Sequence, residues 1–237
     1  MCGRFTLHEP TSDLVEQFAI DEVSVDEVLP RWNVAPTQLV LAVTTAQDGH
    51  TRMLGNLSWG LVPWWAKDAR IGNRMINARA ETLASSKAFR SAFDRRRCLI
   101  PASGFFEWKH TGEVFKKRPR RRPYYVRAID GEPLALGGLW EAWRNSEGHW
   151  LRTCTIVTTT PNATISQLHD RMPVILAPRD WDRWLATSPL TTRERTSLLV
   201  PAPDDLLMIS PVGDGVNNAR NEGPDLIEPS QAGARSV

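Results

Sequence analysis

Cys2 follows an initiator methionine, and methionine is generally trimmed when its neighbour is small, so Cys2 is expected to begin the mature chain. A free α-amine and a thiol would then sit on adjacent carbons. The amine can condense with an aldehyde to an imine, and the thiol can close on the imine carbon to give a five-membered thiazolidine. Reference pKa values near ~7.7–8.0 for the amine and ~8.5 for the thiol leave a useful fraction of each reactive at neutral pH, without a large shift. The same nucleophile could instead attack an amide, with its own amine as base. A frayed, inert terminus is the plain alternative.

Four further segments carry groups that such chemistry needs. In SGFFEWK, Glu107 lies between Phe106 and Trp108 on a strand whose alternation turns it away from both rings. A carboxylate in apolar surroundings is a candidate general acid or base; a solvent-facing glutamate is the alternative. QLHDRMPVIL offers His169 as a proton shuttle or a turn stabiliser, and Arg171 as a phosphate clamp or a partner for Asp170. In MINARAET, Asn77 has the donor and acceptor to orient a hydroxyl-rich sugar, although it could equally cap a following helix. Arg79 presents a planar fork suited to phosphate. WGLVPWWAK sets Trp59, Trp64 and Trp65 around a proline turn. Adjacent Trp64 and Trp65 cannot both point inward easily, so one is expected to be exposed as a base-stacking face or as part of a lid.

The elements that must position these groups read as mixed. Thr11 or Ser12 is expected to cap a short helix whose Leu14, Val15 and Phe18 share a face. Strands are expected over 39–44 and 51–59 around the Asp48-Gly49 turn, then over 97–100, 104–108, 124–129 and 151–160, with 206–210 last. Asp130-Gly131 is a second turn signal. Residues 79–93 have helix-forming composition, with Phe89 and Phe93 four apart. Short helices are expected after Pro161, ending near Leu168, and after Pro178, where Trp181, Trp184 and Leu185 recur at helical spacing. Without regular βαβα alternation, a single α+β domain around a curved, mainly antiparallel sheet is the expected class. From Asn221 the chain is expected to fray.

Composition narrows the function classes. No GxGxxG or Walker-type loop supports a nucleotide cofactor, and no cofactor is expected. Cys2, Cys98 and Cys154 cannot build a disulfide framework, and no two stand at metal-ligand spacing, so no metal is expected. Cys98 and Cys154 read as buried structural thiols. No apolar run reaches the roughly 18–20 residues of a membrane span, and the N-terminus lacks a secretory pattern, which implies a reducing, cytoplasmic setting. The net charge of +2 is small, but Arg95, Arg96 and Arg97, and then Lys116 to Arg122, concentrate positive charge that would attract a phosphate backbone in a salt-dependent way. A solvated basic loop is the alternative for the second run. The lack of a long apolar heptad stripe implies a monomer.

The blocks MCGRF, RWNVAPTQ, WGLVPWW, INARAET, RCLIPASGFFEWK and HDRMPVIL, with a fainter SPVGDGVNNARNEGP, occur in one order from Met1 to Pro224. Together they closely resemble the SOS-response-associated peptidase (SRAP) family. The resemblance implies a domain over residues 1–224 with a barrel-like β-core and flanking helices, followed by a disordered tail over 225–237. It implies that Cys2 forms a thiazolidine with the ring-opened sugar of an abasic site in single-stranded DNA, that Glu107 and His169 move protons, and that Asn77 orients the sugar or the Cys2 amine. It implies that Arg4, Arg79 and Arg171 hold phosphates, and that Asn33 with Trp64 or Trp65 lines the DNA channel. In a bacterium the implied location is the nucleoid. Two rival readings remain: a cysteine peptidase with an N-terminal nucleophile, acting on itself or on other proteins, and a non-catalytic single-strand binder.

Overall fold

The computed structural model describes residues 2–26, 28–115 and 118–230. In chain order its elements are β1 (Phe5–Leu7), α1 (Thr11–Gln17), β2 (Glu22–Val23), β3 (Arg31–Val34), β4 (Leu39–Thr45), β5 (Arg52–Trp59), β6 (Asn77–Arg79), α2 (Arg90–Arg95), β7 (Arg97–Ala102), β8 (Gly104–Phe115), β9 (Arg118–Ala128), β10 (Leu134–Arg144), β11 (Trp150–Thr159), α3 (Ala163–Ser166), β12 (Met172–Pro173), α4 (Trp181–Leu185), α5 (Thr192–Leu198) and β13 (Leu207–Pro211). Short 3-10 turns link several of them.

The strands form two sheets. One runs β13-β9-β8-β1-β3, and the other β12-β11-β10-β7-β4-β5-β2. The second curls on itself, because β5 also pairs with β11 in parallel through Ser58 opposite Thr153 and Trp59 opposite Cys154. That closure removes two sheet edges, and Leu54, Leu57, Leu99, Ile100, Leu136 and Ile156 on its strands are all buried, on one face or the other. The α+β class with a barrel-like, mainly antiparallel core is therefore what the chain adopts. Among the described residues no helix is long and apolar enough to cross a membrane.

β10 escapes a reading by alternation, since LALGGLW is apolar throughout and holds two adjacent glycines. The glycines serve packing: a Cβ at Gly138 would stand 2.8 Å from the Cys98 sulfur. Cys98 and Cys154 are indeed buried structural thiols.

Several expectations need correcting. Neither Thr11 nor Ser12 caps α1; the cap position is Pro10, with no side-chain hydrogen bond. Residues 79–93 are not one helix. Asn77–Arg79 must stay extended to pair with β11, and after a short 3-10 turn the Ser85 hydroxyl bonds the Thr82 carbonyl, a local bond that competes with helix continuation. Helix begins only at Arg90, and the Phe93 amide bonds the Phe89 carbonyl at its start. Arg97 is no phosphate ligand. It is 2% exposed, and its guanidinium donates to the carbonyls of Phe93, Asp94, Trp184, Ala186 and Ser188. Arg96 pairs with buried Glu141 at 2.7 Å, leaving Arg95 as the exposed member of that run.

The fraying expected from Asn221, and the disordered tail expected from Asp225, do not begin there. The Glu222 carboxylate accepts from the Trp32 amide at 2.8 Å, and a turn over Pro224–Ile227 buries Leu226. The Ser230 amide donates to the Pro211 carbonyl at 2.8 Å. Residues 231–237 of the expected tail, Met1, and Lys116 and Lys117 of the basic run lie outside the described residues.

Candidate functional site

Strand pairing brings the N-terminus to Glu107. In β1 and β8, Phe5 stands opposite Phe105 and Thr6 opposite Gly104, and the Phe106 amide then donates to the Arg4 carbonyl at 2.9 Å. Continuing that antiparallel run sets Gly3 and Cys2 alongside Glu107. Phe5 packs on buried Trp59 with ring centroids 5.3 Å apart, which anchors β1 in the core.

Cys2 is 0% exposed, and Glu107 is buried beside it. Burial, and secondarily the Glu107 carboxylate, push the Cys2 thiol well above the usual cysteine range. Burial thus opposes the thiolate that the sequence alone would make available near neutral pH. It also excludes both the frayed terminus for Cys2 and the solvent-facing strand position for Glu107.

Asn77 enters from the other sheet. β6 lies parallel to β11, with Asn77 opposite Ile156. Its side-chain amide donates to the Cys2 carbonyl at 2.9 Å, and the carbonyl end of the same amide is buried with no partner among the described residues. Asn77 is a strand residue, so the helix-cap reading fails.

β11 also carries the next pair of groups. β12 pairs with it through Pro173 opposite Thr158, on the edge away from β6, and the turn before β12 holds His169 and Arg171. The Arg171 amide donates to His169 Nδ1 at 3.0 Å, putting the proton of the neutral ring on Nε2. The same Nδ1 lies 2.8 Å from the Asp170 carboxylate, an ion pair open only to the protonated ring. Arg171 pairs not with Asp170 but with Glu81, as a two-pronged contact at 2.7 and 2.9 Å, and also donates to the Thr158 carbonyl at 2.6 Å. Arg171 holds the Glu81 carboxyl below its usual range. Arg79, opposite Thr158, is exposed.

Sequence reasoning missed Glu81. It belongs to the INARAET block, but its partner lies 90 residues away, and no local spacing signals the pair.

Arg4 is half-buried. One guanidinium nitrogen donates to Asn33 Oδ1 at 2.6 Å and to the Val216 carbonyl at 2.8 Å, and the group lies 6.0 Å from the Trp108 ring centroid. Burial lowers its proton affinity from the usual arginine value. Asn33 does not line an open channel. It is fully buried, and its amide donates to the Asn218 and Asn221 carbonyls at 3.0 Å each, tying residues 216–221 beneath Arg4.

The proline-turn loop divides its tryptophans. Trp59 is buried, Trp64 is 64% exposed, and Trp65 is half-buried with its indole N–H on the Lys87 carbonyl at 3.3 Å. Trp143 braces the loop from below by donating to the Ala66 carbonyl at 2.7 Å. Among the described residues no group of three or more His, Cys, Asp or Glu is arranged to hold a metal ion.

The chain is 43% identical over 229 residues to the abasic site processing protein YoqW of Bacillus subtilis (strain 168), covering 96% of this chain and 99% of that one. It is 31% identical over 241 residues to the abasic site processing protein YedK of Escherichia coli (strain K12), covering 97% and 100%. A crystal structure of a Bacteroides thetaiotaomicron protein shares the fold with a TM-score of 0.83 at 23% identity, covering 97% of this chain and all of that one. The model of the SOS response associated peptidase (SRAP) family matches residues 1–219, and the chain belongs to that family.

Proposed function

We propose that this protein captures abasic sites in single-stranded DNA covalently, through a thiazolidine built on Cys2. The observation that carries the reading is the seat of Cys2: buried, beside Glu107, with its carbonyl held 2.9 Å from the Asn77 amide. Relatives bearing the name abasic site processing protein support it.

The reaction follows from these groups. With Met1 removed, the Cys2 amine adds to the C1′ aldehyde of the ring-opened deoxyribose, and loss of one water leaves an imine. The Cys2 sulfur then bonds to the same carbon, its proton leaving as the imine nitrogen gains one. A thiol held protonated by burial needs a base at that moment, and Glu107 is the neighbouring carboxylate. Asn77 fixes the first residue so that amine and sulfur face one carbon, with its unpartnered carbonyl end available to the amine. His169 serves the sugar's ring-opening proton transfers. Arg4 and Arg79 hold flanking phosphates, Trp64 offers a stacking face, and Arg171 joins them only by leaving Glu81.

The peptidase reading shares Cys2, Glu107 and His169 but gives no role to Arg79 or Trp64. The test is incubation with an oligonucleotide carrying one abasic site, followed by denaturing electrophoresis. A stable conjugate is expected from the wild type and none from Cys2→Ala. Loss of the conjugate in Arg79→Ala or Trp64→Ala, with peptide cleavage unaffected, would separate the two activities.

A further inference from the structure

The outer end of the β10–β11 hairpin carries tryptophans and arginines that the capture chemistry does not use. Trp140, Ala142 and Arg144 share one face of β10, and directly opposite them on β11 stand Cys154, Arg152 and Trp150. The Arg152 guanidinium lies 4.7 Å from the centroid of the Trp140 ring, and that of Arg144 lies 5.7 Å from the Trp150 ring. Trp150 is 66% exposed, as open as Trp64. A ring left in water to that extent adds little to the core.

Both arginines are exposed, and their contacts leave the charge in place. Arg144 donates from Nε to the Gly148 carbonyl at 2.9 Å, a neutral acceptor, and a ring attracts a guanidinium without neutralising it. Neither arginine forms an ion pair among the described residues. Of the hairpin's acids, Glu141 is buried on the opposite face with Arg96 at 2.7 Å, and Glu147 sits at the turn beside His149. The same hairpin supports the loop of Trp64. The Gly60 amide donates to the Cys154 carbonyl at 2.8 Å, and the Val62 amide to the Thr153 hydroxyl at 2.9 Å. Along β11, Trp150 precedes Ile156, the residue opposite Asn77, by roughly 20 Å at about 3.3 Å per residue.

We propose that this face of the β10–β11 hairpin is a second single-strand contact, where an unpaired base stacks on Trp150 while Arg144 and Arg152 hold the phosphodiester beside it. It rests on the reading of the chain as a binder of single-stranded DNA. The chemistry favours an unpaired strand over a duplex, whose bases are already stacked on one another and offer no free π-face. An arginine over each ring orients the aromatic side chain and adds positive charge where the backbone passes.

The test measures affinity for an undamaged, fluorescein-labelled oligonucleotide of roughly 20 nucleotides, by anisotropy across a salt series, as a single strand and as a blunt duplex. Trp150→Ala should weaken single-strand binding about 5- to 150-fold, the equivalent of the about 1–3 kcal/mol that one stacked base contributes. Its salt slope and its duplex affinity should match the wild type. Trp150→Phe keeps a ring and should recover most of the loss; a loss equal to that of the alanine variant would place the defect in folding and overturn the proposal. Arg144→Gln with Arg152→Gln should lower the slope of log affinity on log salt by about 0.7 to 1.4 on the single strand, and Arg144→Lys with Arg152→Lys should keep it. Wild-type affinity in Trp150→Ala, an unchanged slope in the glutamine pair, or an equal loss on the duplex overturns the contact. Conjugation of an abasic oligonucleotide by the wild type is read in parallel. Conjugation with unmoved affinities condemns the hairpin contact alone, and no conjugation with affinities that move as stated removes the abasic-site reading and keeps the single-strand contact.

Discussion

Cys2 sits where water is excluded, so in the proposed reaction its sulfur needs a neighbour to accept its proton. Glu107→Gln keeps the shape of that neighbour and removes its basicity. Conjugate formation should slow by about 10²–10⁴-fold, measured by quenched gel time courses, with Cys2→Ser leaving at most a labile imine. Asn77→Ala removes the bond to the Cys2 carbonyl and should slow capture by about 10²-fold while lowering stability by only about 1 kcal/mol in urea titration. An equal loss in both measurements would make Asn77 merely structural. At this scale residue type and neighbourhood singled out Cys2 and Glu107, and the resemblance to the SRAP family supplied the roles proposed for them. The burial of Cys2 was not legible, since it depends on β1 pairing with β8 across about a hundred residues of chain.

Elements hold the site through contacts between distant segments. The segment from Gly213 to Pro224 crosses beneath Arg4 and is tied down by Asn33 and by Glu222, which also bonds Arg31 at 3.2 Å. Asn33→Ala should cost about 1–3 kcal/mol, speed hydrogen exchange in residues 214–222, and weaken DNA binding through loss of the Arg4 brace. If exchange accelerates while binding is unchanged, Arg4 does not need that brace. β4 and β11, rich in β-branched residues, and β5, which returns from the Asp48-Gly49 turn, were readable in advance. β10 was not, because a strand buried on both faces loses its alternation and glycine pairs ordinarily mark turns; β3, four residues with an asparagine inside, carries no pattern long enough to read. The supposed helix over 79–93 failed for a tertiary reason: β6 takes its hydrogen bonds from β11.

For the whole molecule, charge and protonation set stability. Arg97→Met leaves carbonyls from α2 and from the stretch after α4 without their donor, and should cost about 3 kcal/mol or more. Arg95→Ala, on the surface, should stay within about 0.5 kcal/mol. Three adjacent arginines look alike in the sequence, and only packing tells the structural cation from the solvated one. The buried thiols make a second prediction. Burial pushes the Cys2, Cys98 and Cys154 thiols well above the usual cysteine range in the folded state. Above about pH 9 the unfolded chain releases protons that the native chain keeps, so stability is level below that pH and declines as pH rises, by up to about 1.4 kcal/mol per pH unit per thiol. Cys154→Ala should make the decline shallower, read from urea midpoints between pH 7 and 10.

The most direct measurement is the intact mass of the purified conjugate, followed by borohydride treatment. The account predicts a protein lacking its first methionine, joined to the oligonucleotide with loss of one water, and unchanged by reduction because both amine and sulfur already bind C1′. A conjugate that retains the methionine, or one that gains two hydrogens on reduction as a simple imine would, contradicts it.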